Sequence, residues 1–319
     1  MKKIVINILF VFLCVVIFVV FAIVGVVLAT NHLVNERFSY LDVNFTEEVG
    51  TTIKDQSYGE DPLQTYDLYL PADKSRENYS LILFVHGGGF TGGDKSAIEA
   101  VRYGEYLASK GYVVASANYR LFTEESSVYV MDMYEDLMTA VNVIVKHSEE
   151  LGYHLNEMAT TGGSAGGCLA MLVAFKEPDR LPIPIKFVFE ETGPASFEPE
   201  IWDIVTDEEK AVFVNSVSGK SFTAADVGSA EYQKAIDEIS VSTMINENSV
   251  PIILAYGPKD KIVAVKAKFP LLDALEENGV EHTYIEFPNS GHGLLGDPDK
   301  TDEYYRAMDD YLDRYFTNH

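Results

Sequence analysis

The chain has 319 residues, 47% of them hydrophobic, and its 24 Lys+Arg against 49 Asp+Glu give a formal net charge of −25. So acidic a surface repels phosphate backbones and excludes nucleic acid as a partner, while the length and apolar share allow one large core plus an appendage. Of the two cysteines, Cys14 lies in the N-terminal apolar run and only Cys168 falls in the folded part, so no intramolecular disulfide is expected.

After Met1-Lys2-Lys3 the sequence is apolar from 4 to 29 except at Asn7, and residues 8–29 form 22 uninterrupted positions. As a helix such a run reaches about 33 Å, enough for a bilayer core of about 30 Å. Residues 1–30 therefore read as a transmembrane anchor with Lys2 and Lys3 in the cytoplasm and the remainder outside the cell membrane. A signal sequence cleaved after Val27-x-Ala29, giving a secreted protein, is the alternative. Residues 31–47 are mixed and polar, a tether, and residues 48–319 are the expected folded domain.

Residues 64–70 alternate at period two and end at Pro71, the pattern of a strand running into a turn. Residues 81–85 (LILFV) are continuously apolar, as in a strand buried on both faces, and lead into His86-Gly87-Gly88-Gly89. Asp94 is placed to cap a helix through Leu107 that stops at Gly111, and residues 112–117 form the next strand. A helical stripe of Leu137, Val141 and Ile144 runs from about 131 to 151, followed by a strand beginning at Met158. Further strands are expected at 185–189, 251–256 and 282–287, and helices at about 263–277 and 300–316. This alternation predicts a doubly wound, mostly parallel α/β sheet. Residues 194–248 break the rhythm and carry the single tryptophan, Trp202; they read as a small helical cap insertion, either a lid over the sheet's carboxyl edge or an outer decoration.

The strand from Met158 delivers Gly162-Gly163-Ser164-Ala165-Gly166, a G-x-S-x-G sequence, into the helical pattern from Cys168 to Val173. A strand turned into a helix within a few residues needs strained, crowded backbone, which glycines tolerate, and it lifts the serine clear of the sheet as a nucleophile. Ser164 needs a base, and of seven histidines His292, in Ser290-Gly291-His292-Gly293, directly follows the final strand. Asp260, just beyond the 251–256 strand, is the expected acid, with Glu191 as its competitor. Gly88 and Gly89, after the 81–85 strand, with Ala165 at the helix start, are the expected oxyanion-hole N–H donors, and His86 is read as structural. Cys168 reads as a small core residue. Asp297-Pro298-Asp299-Lys300-Thr301-Asp302 lacks the spacing of a calcium loop and is read as acidic capping of the last helix. Asn44-Phe45-Thr46 and Asn78-Tyr79-Ser80 are glycosylation acceptor patterns, meaningful only in a host that glycosylates secreted proteins.

His86-Gly87-Gly88-Gly89-Phe90 with Gly93-Asp94-Lys95, Gly163-Ser164-Ala165-Gly166-Gly167, Gly257-x-x-Asp260-x-x-Val263 and Gly291-His292-Gly293 together resemble the α/β-hydrolase fold serine esterases of the acetyl esterase and hormone-sensitive-lipase-like group, over roughly residues 60–316. The resemblance implies a serine carboxylesterase acting on short-chain acyl or acetyl esters, acylated carbohydrates among them, with no cofactor and no metal. It assigns the triad to Ser164, Asp260 and His292 and the oxyanion hole to Gly88, Gly89 and Ala165. Gly163 departs from the aspartate usual in the lipase-like branch and brings the chain closer to acetyl and feruloyl carbohydrate esterases and to peptidases of prolyl-oligopeptidase type. A serine peptidase, disfavoured because the chain has no room for a large N-terminal gating domain, and a catalytically silent binding module stay open as alternatives.

Overall fold

The computed structural model describes residues 32–318, so the apolar run at 8–29 lies outside the described residues. Among the described residues no helix is long and apolar enough to cross a membrane. The chain divides into two units, residues 1–40 and 41–319. Of the first unit, residues 32–37 form a short helix.

The second unit is built on one eight-stranded sheet: β1 (Gly50–Ser57), β2 (Thr65–Pro71), β3 (Tyr79–Val85), β4 (Val113–Ala117), β5 (Leu155–Gly163), β6 (Ile185–Glu191), β7 (Ile252–Tyr256) and β8 (His282–Glu286). Their order across the sheet is β1-β2-β4-β3-β5-β6-β7-β8. The pairs β1/β2 and β2/β4 are antiparallel and the remainder parallel, which gives the mostly parallel α/β sheet expected. The helices are α1 (Ile98–Ser109), α2 (Val130–Glu150), α3 (Ala165–Phe175), α4 (Asp207–Ser218), α5 (Ala230–Asp237), α6 (Phe269–Glu277) and α7 (Pro298–Tyr315).

Every residue of β3 is buried, as a central strand covered on both faces must be. Side chains alternate between faces: Leu81, Leu83 and Val85 join one apolar cluster with Leu137, Val141 and Leu169 of α2 and α3, whereas Phe84 lies 5.5 Å from Tyr103 of α1. On that second face α1 and α7 are joined by Tyr103 against Tyr305 and by the Tyr106 hydroxyl donating to Asp309 at 2.8 Å. Helices thus cover both sides and leave the strands' carboxyl ends free for chemistry.

Four expectations change in detail. β1 was not foreseen: its antiparallel pairing with β2 is interrupted by a bulge between Ile53 and Gln56, where Asp55 stands at φ +56° and its N–H donates to buried Asp67 at 2.8 Å. β5 begins at Leu155, three residues before Met158. Asp94 does not cap α1, which starts at Ile98 with no side-chain cap; its carboxylate accepts the Ser96 N–H at 2.8 Å and the Asn118 side-chain amide at 3.0 Å. The helix expected from about 263 is a 3-10 turn, Val265–Lys268, before α6 opens with Pro270 in its first turn, where a missing N–H is tolerated.

The insertion at 194–248 is largely helical, as expected, holding α4, α5 and 3-10 turns. Phe197 stacks on Trp202 (centroids 6.1 Å apart, 17° between planes), whose indole N–H donates to Ser196 O at 3.0 Å, and it also lies 6.5 Å from Phe90. The insertion therefore reaches the loop after β3.

Candidate active site

The sharp turn from β5 into α3 is shaped by contact with β3. A β-carbon built on Gly166 would lie 2.1 Å from Val85 O, so only glycine lets α3 start this close to the neighbouring strand. Ser164 takes φ +58°, ψ −127°, a conformation costly for any side-chain-bearing residue. Its N–H donates to Glu191 O at 2.8 Å and its carbonyl accepts the Cys168 N–H at 3.1 Å, so β6 and the first turn of α3 hold the strain.

The two loops after β7 and β8 converge on this turn. His292 Nε2 lies 2.8 Å from Ser164 Oγ, and His292 Nδ1 lies 2.7 Å from Asp260 Oδ2. Asp260 also accepts the N–H groups of Ile262 at 2.8 Å and Val263 at 3.1 Å. Burial alone would push its carboxyl up, but the bond from His292 and those two N–H groups together hold it below the ordinary carboxylate value. Asp260 is only 3% exposed at its side chain, so the imidazole's anionic partner is shielded from water. The competitor Glu191 is directed elsewhere, its Oε1 accepting from the Tyr103 hydroxyl at 3.1 Å.

The His86-Gly87-Gly88-Gly89 loop lies against the serine: a β-carbon on Gly87 would stand 3.4 Å from Ser164 Cβ. Gly88 sits at φ +124°, and its own β-carbon would meet Gly92 O at 2.1 Å. Its carbonyl accepts from Thr91 and Gly92, curling the loop around it, while among the described residues the N–H groups of Gly88 and Gly89 meet no acceptor. Ala165 opens α3, so its N–H has no intrahelical acceptor either. His86 is structural, as expected: its ring stacks on Tyr119 at 4.4 Å, the Tyr119 hydroxyl donates to His86 O at 2.8 Å, and burial pushes the imidazole's pKa down.

The structure thus brings together Ser164, Asp260 and His292, with the loop carrying Gly88 and Gly89 beside the serine. Among the described residues no group of three or more His, Cys, Asp or Glu side chains is positioned to hold a metal ion.

Two groups support the site in ways the sequence reading did not assign. Lys95, 5% exposed, ties the far end of the glycine loop to Asp67 at 3.0 Å and Asp55 at 2.7 Å. Its signal was present only as a lysine beside Asp94, with acidic partners far away in the chain. Glu190, at the end of β6, is fully buried behind the turn. Burial pushes its carboxyl up to about 8, against the bond that Oε2 accepts from the Gly193 N–H at 2.7 Å and the influence of the neighbouring Tyr256 hydroxyl. Cys168 next to it is a core thiol whose pKa burial pushes far up, in keeping with the expectation that it is unreactive.

The family model BD-FAE matches residues 66–275. The chain is 24% identical over 222 residues to dipeptidyl aminopeptidase BIII of Pseudoxanthomonas mexicana, covering 67% of this chain and 30% of that protein. It is 22% identical over 246 residues to esterase LipC of Mycobacterium tuberculosis, covering 74% of this chain and 58% of that protein. The chain therefore spans less than two thirds of the length of these curated relatives. The solved structure of inhibited esterase B from Lactobacillus rhamnosis superposes with a TM-score of 0.65 at 23% identity, covering 92% of this chain and 97% of that one.

Proposed function

The chain belongs to the BD-FAE family and has the α/β-hydrolase fold, and from that premise we propose that it hydrolyses short-chain acyl or acetyl esters through an acyl-serine intermediate. The observation that carries the proposal is the continuous line from Asp260 Oδ2 to His292 Nδ1 at 2.7 Å and from His292 Nε2 to Ser164 Oγ at 2.8 Å. In this reading the imidazole takes the hydroxyl proton as Ser164 Oγ attacks the ester carbonyl. Asp260 holds the tautomer whose Nδ1 carries the proton and stabilises the imidazolium that forms. The developing oxyanion is received by the N–H groups of Gly88, Gly89 and Ala165, for which no acceptor competes among the described residues. The imidazolium then protonates the departing alcohol, and water repeats the sequence on the acyl-enzyme. Acylated carbohydrates are within the proposed substrate range.

The strained φ of Ser164 supports the same reading, because a serine held there without function would cost stability for nothing gained. Turnover of a panel of p-nitrophenyl esters and acetylated sugars by the wild type, set against S164A as the blank, tests it. A panel on which the two proteins are indistinguishable overturns it.

The match to dipeptidyl aminopeptidase BIII favours a second reading, peptide-bond hydrolysis by the same triad. Faster cleavage of aminoacyl-nitroanilides than of p-nitrophenyl acetate would replace the esterase reading with that one. A fold kept only for binding is refuted once a fluorophosphonate labels Ser164.

A further inference from the structure

His292 belongs to no helix or strand. It stands near the tip of the loop between β8 and α7, and the geometry of that loop decides whether its imidazole meets Ser164. Gly291 and Gly293 flank it and supply no side chain to pack, and Leu294 stands at φ +51°. Something other than local propensity must therefore hold this backbone.

Asp297 does so. It was expected to cap the last helix, and its carbonyl does start α7 by accepting the N–H groups of Lys300 at 3.0 Å and Thr301 at 3.1 Å. Its carboxylate makes no cap bond and turns the other way. Oδ2 accepts the Asn289 N–H at 2.9 Å and the Ser290 hydroxyl at 2.6 Å, and Oδ1 accepts the Asn289 side-chain amide at 2.8 Å. The Ser290 oxygen in turn accepts the Gly296 N–H at 2.8 Å, closing the loop on itself. Asp297 is 7% exposed and Ser290 2%, so these bonds are sheltered from water.

The same two residues meet the loop that carries the acid. Ser290 O accepts the Lys259 N–H at 3.1 Å, and Asn289 O accepts from Lys259 Nζ at 3.2 Å. Lys259 immediately precedes Asp260, and Ser290 lies two positions before His292. One clamp thus spans both loops whose side chains must lie within hydrogen-bond reach of each other.

We propose that Asp297 is a positioning residue for the hydrolytic reaction, holding Asn289 and Ser290 so that His292 is aligned between Ser164 and Asp260. The inference rests on the triad reading above. Asp297 touches none of the reacting atoms; its effect is to narrow the range of positions the imidazole samples, and a displacement of about 1 Å in such a group costs turnover about a hundredfold.

The test measures D297N and S290A with p-nitrophenyl acetate, counting competent sites by fluorophosphonate labelling taken to completion and expressing kcat per labelled site. The amide in D297N turns an acceptor into a donor facing the Asn289 and Ser290 donors, so kcat per site is expected to fall about ten- to a hundredfold with KM within about twofold, and S290A to fall less. A merely structural role would lower the number of labelled sites and the melting temperature while each remaining site kept the wild-type kcat. Wild-type kcat per site in D297N overturns the inference. Should D297N not fold, S290A and N289A decide it by the same criterion. S164A separates the two levels: turnover retained in S164A overturns the triad reading and this inference with it, whereas turnover lost in S164A but unchanged per site in D297N overturns this inference alone.

Discussion

Glu190→Gln replaces the carboxyl buried behind the serine turn with an amide of nearly the same shape, so it removes a titration while leaving an oxygen for the Gly193 N–H. In the unfolded chain Glu190 loses its proton near the ordinary glutamate value of 4.5, and in the folded protein, because of burial, only at about 8. Between those limits the native state holds one proton more than the unfolded state, and the unfolding free energy therefore falls as pH rises. The slope from this one group is about 1.4 kcal/mol per pH unit, which sums to a few kcal/mol by pH 8 and is complete above it. The glutamine variant carries no such group. Urea unfolding of both proteins at pH 5, 6, 7 and 8 should show the variant gaining on the wild type by about 1.4 kcal/mol with each unit, then running parallel above pH 8. Curves that run parallel throughout would show that the native carboxyl is ionised with its unfolded-state affinity, and the account of its burial would be wrong.

Other consequences can be checked directly. Ser164→Ala should lower kcat at least about 10⁴-fold in ester turnover and abolish fluorophosphonate labelling, since the hydroxyl that meets His292 Nε2 is that of Ser164. Asp260→Asn should lower kcat by about 10⁴-fold by favouring the wrong imidazole tautomer, while Glu191→Gln stays within about tenfold, and a larger loss in the glutamate variant would reassign the acid. Gly88→Ala places a β-carbon 2.1 Å from Gly92 O at φ +124°, so the loop must shift and turnover should fall about 10²–10³-fold with the protein still folded; unchanged kcat would remove Gly88 from the oxyanion site. The apolar run at 8–29 is expected to hold the chain in a bilayer with the domain outside, so protease added to intact cells should remove ester hydrolysis, and activity that survives such treatment counts against it.

The parts of this protein that were legible from residue order are those made by near neighbours. The run at 81–85 had to be a covered strand because it offers no polar face, and G-x-S-x-G after a strand forces the serine outward whatever surrounds it. Ser164, Asp260 and His292 each stand just past the end of a strand, and parallel strands bring such positions to one edge of the sheet.

What remained hidden depended on partners that sequence distance conceals. Asp94 and Asp297 both have the look of helix caps, and each is drawn away by an amide it meets only in the folded state, that of Asn118 for one and that of Asn289 for the other. β1 is an edge strand whose pairing tolerates a bulge at Asp55, so its pattern is faint before Asp67 is there to receive it. Glu190 is one of many acidic residues in the chain, and only the closure of β7 and α3 around it takes its carboxyl out of water. Residue order determined which side chains would stand at the ends of the strands, because backbone turns are local; tertiary packing decided how firmly they are held and which carboxyls are taken out of water, because burial and long-range hydrogen bonds do not exist until the chain has closed on itself.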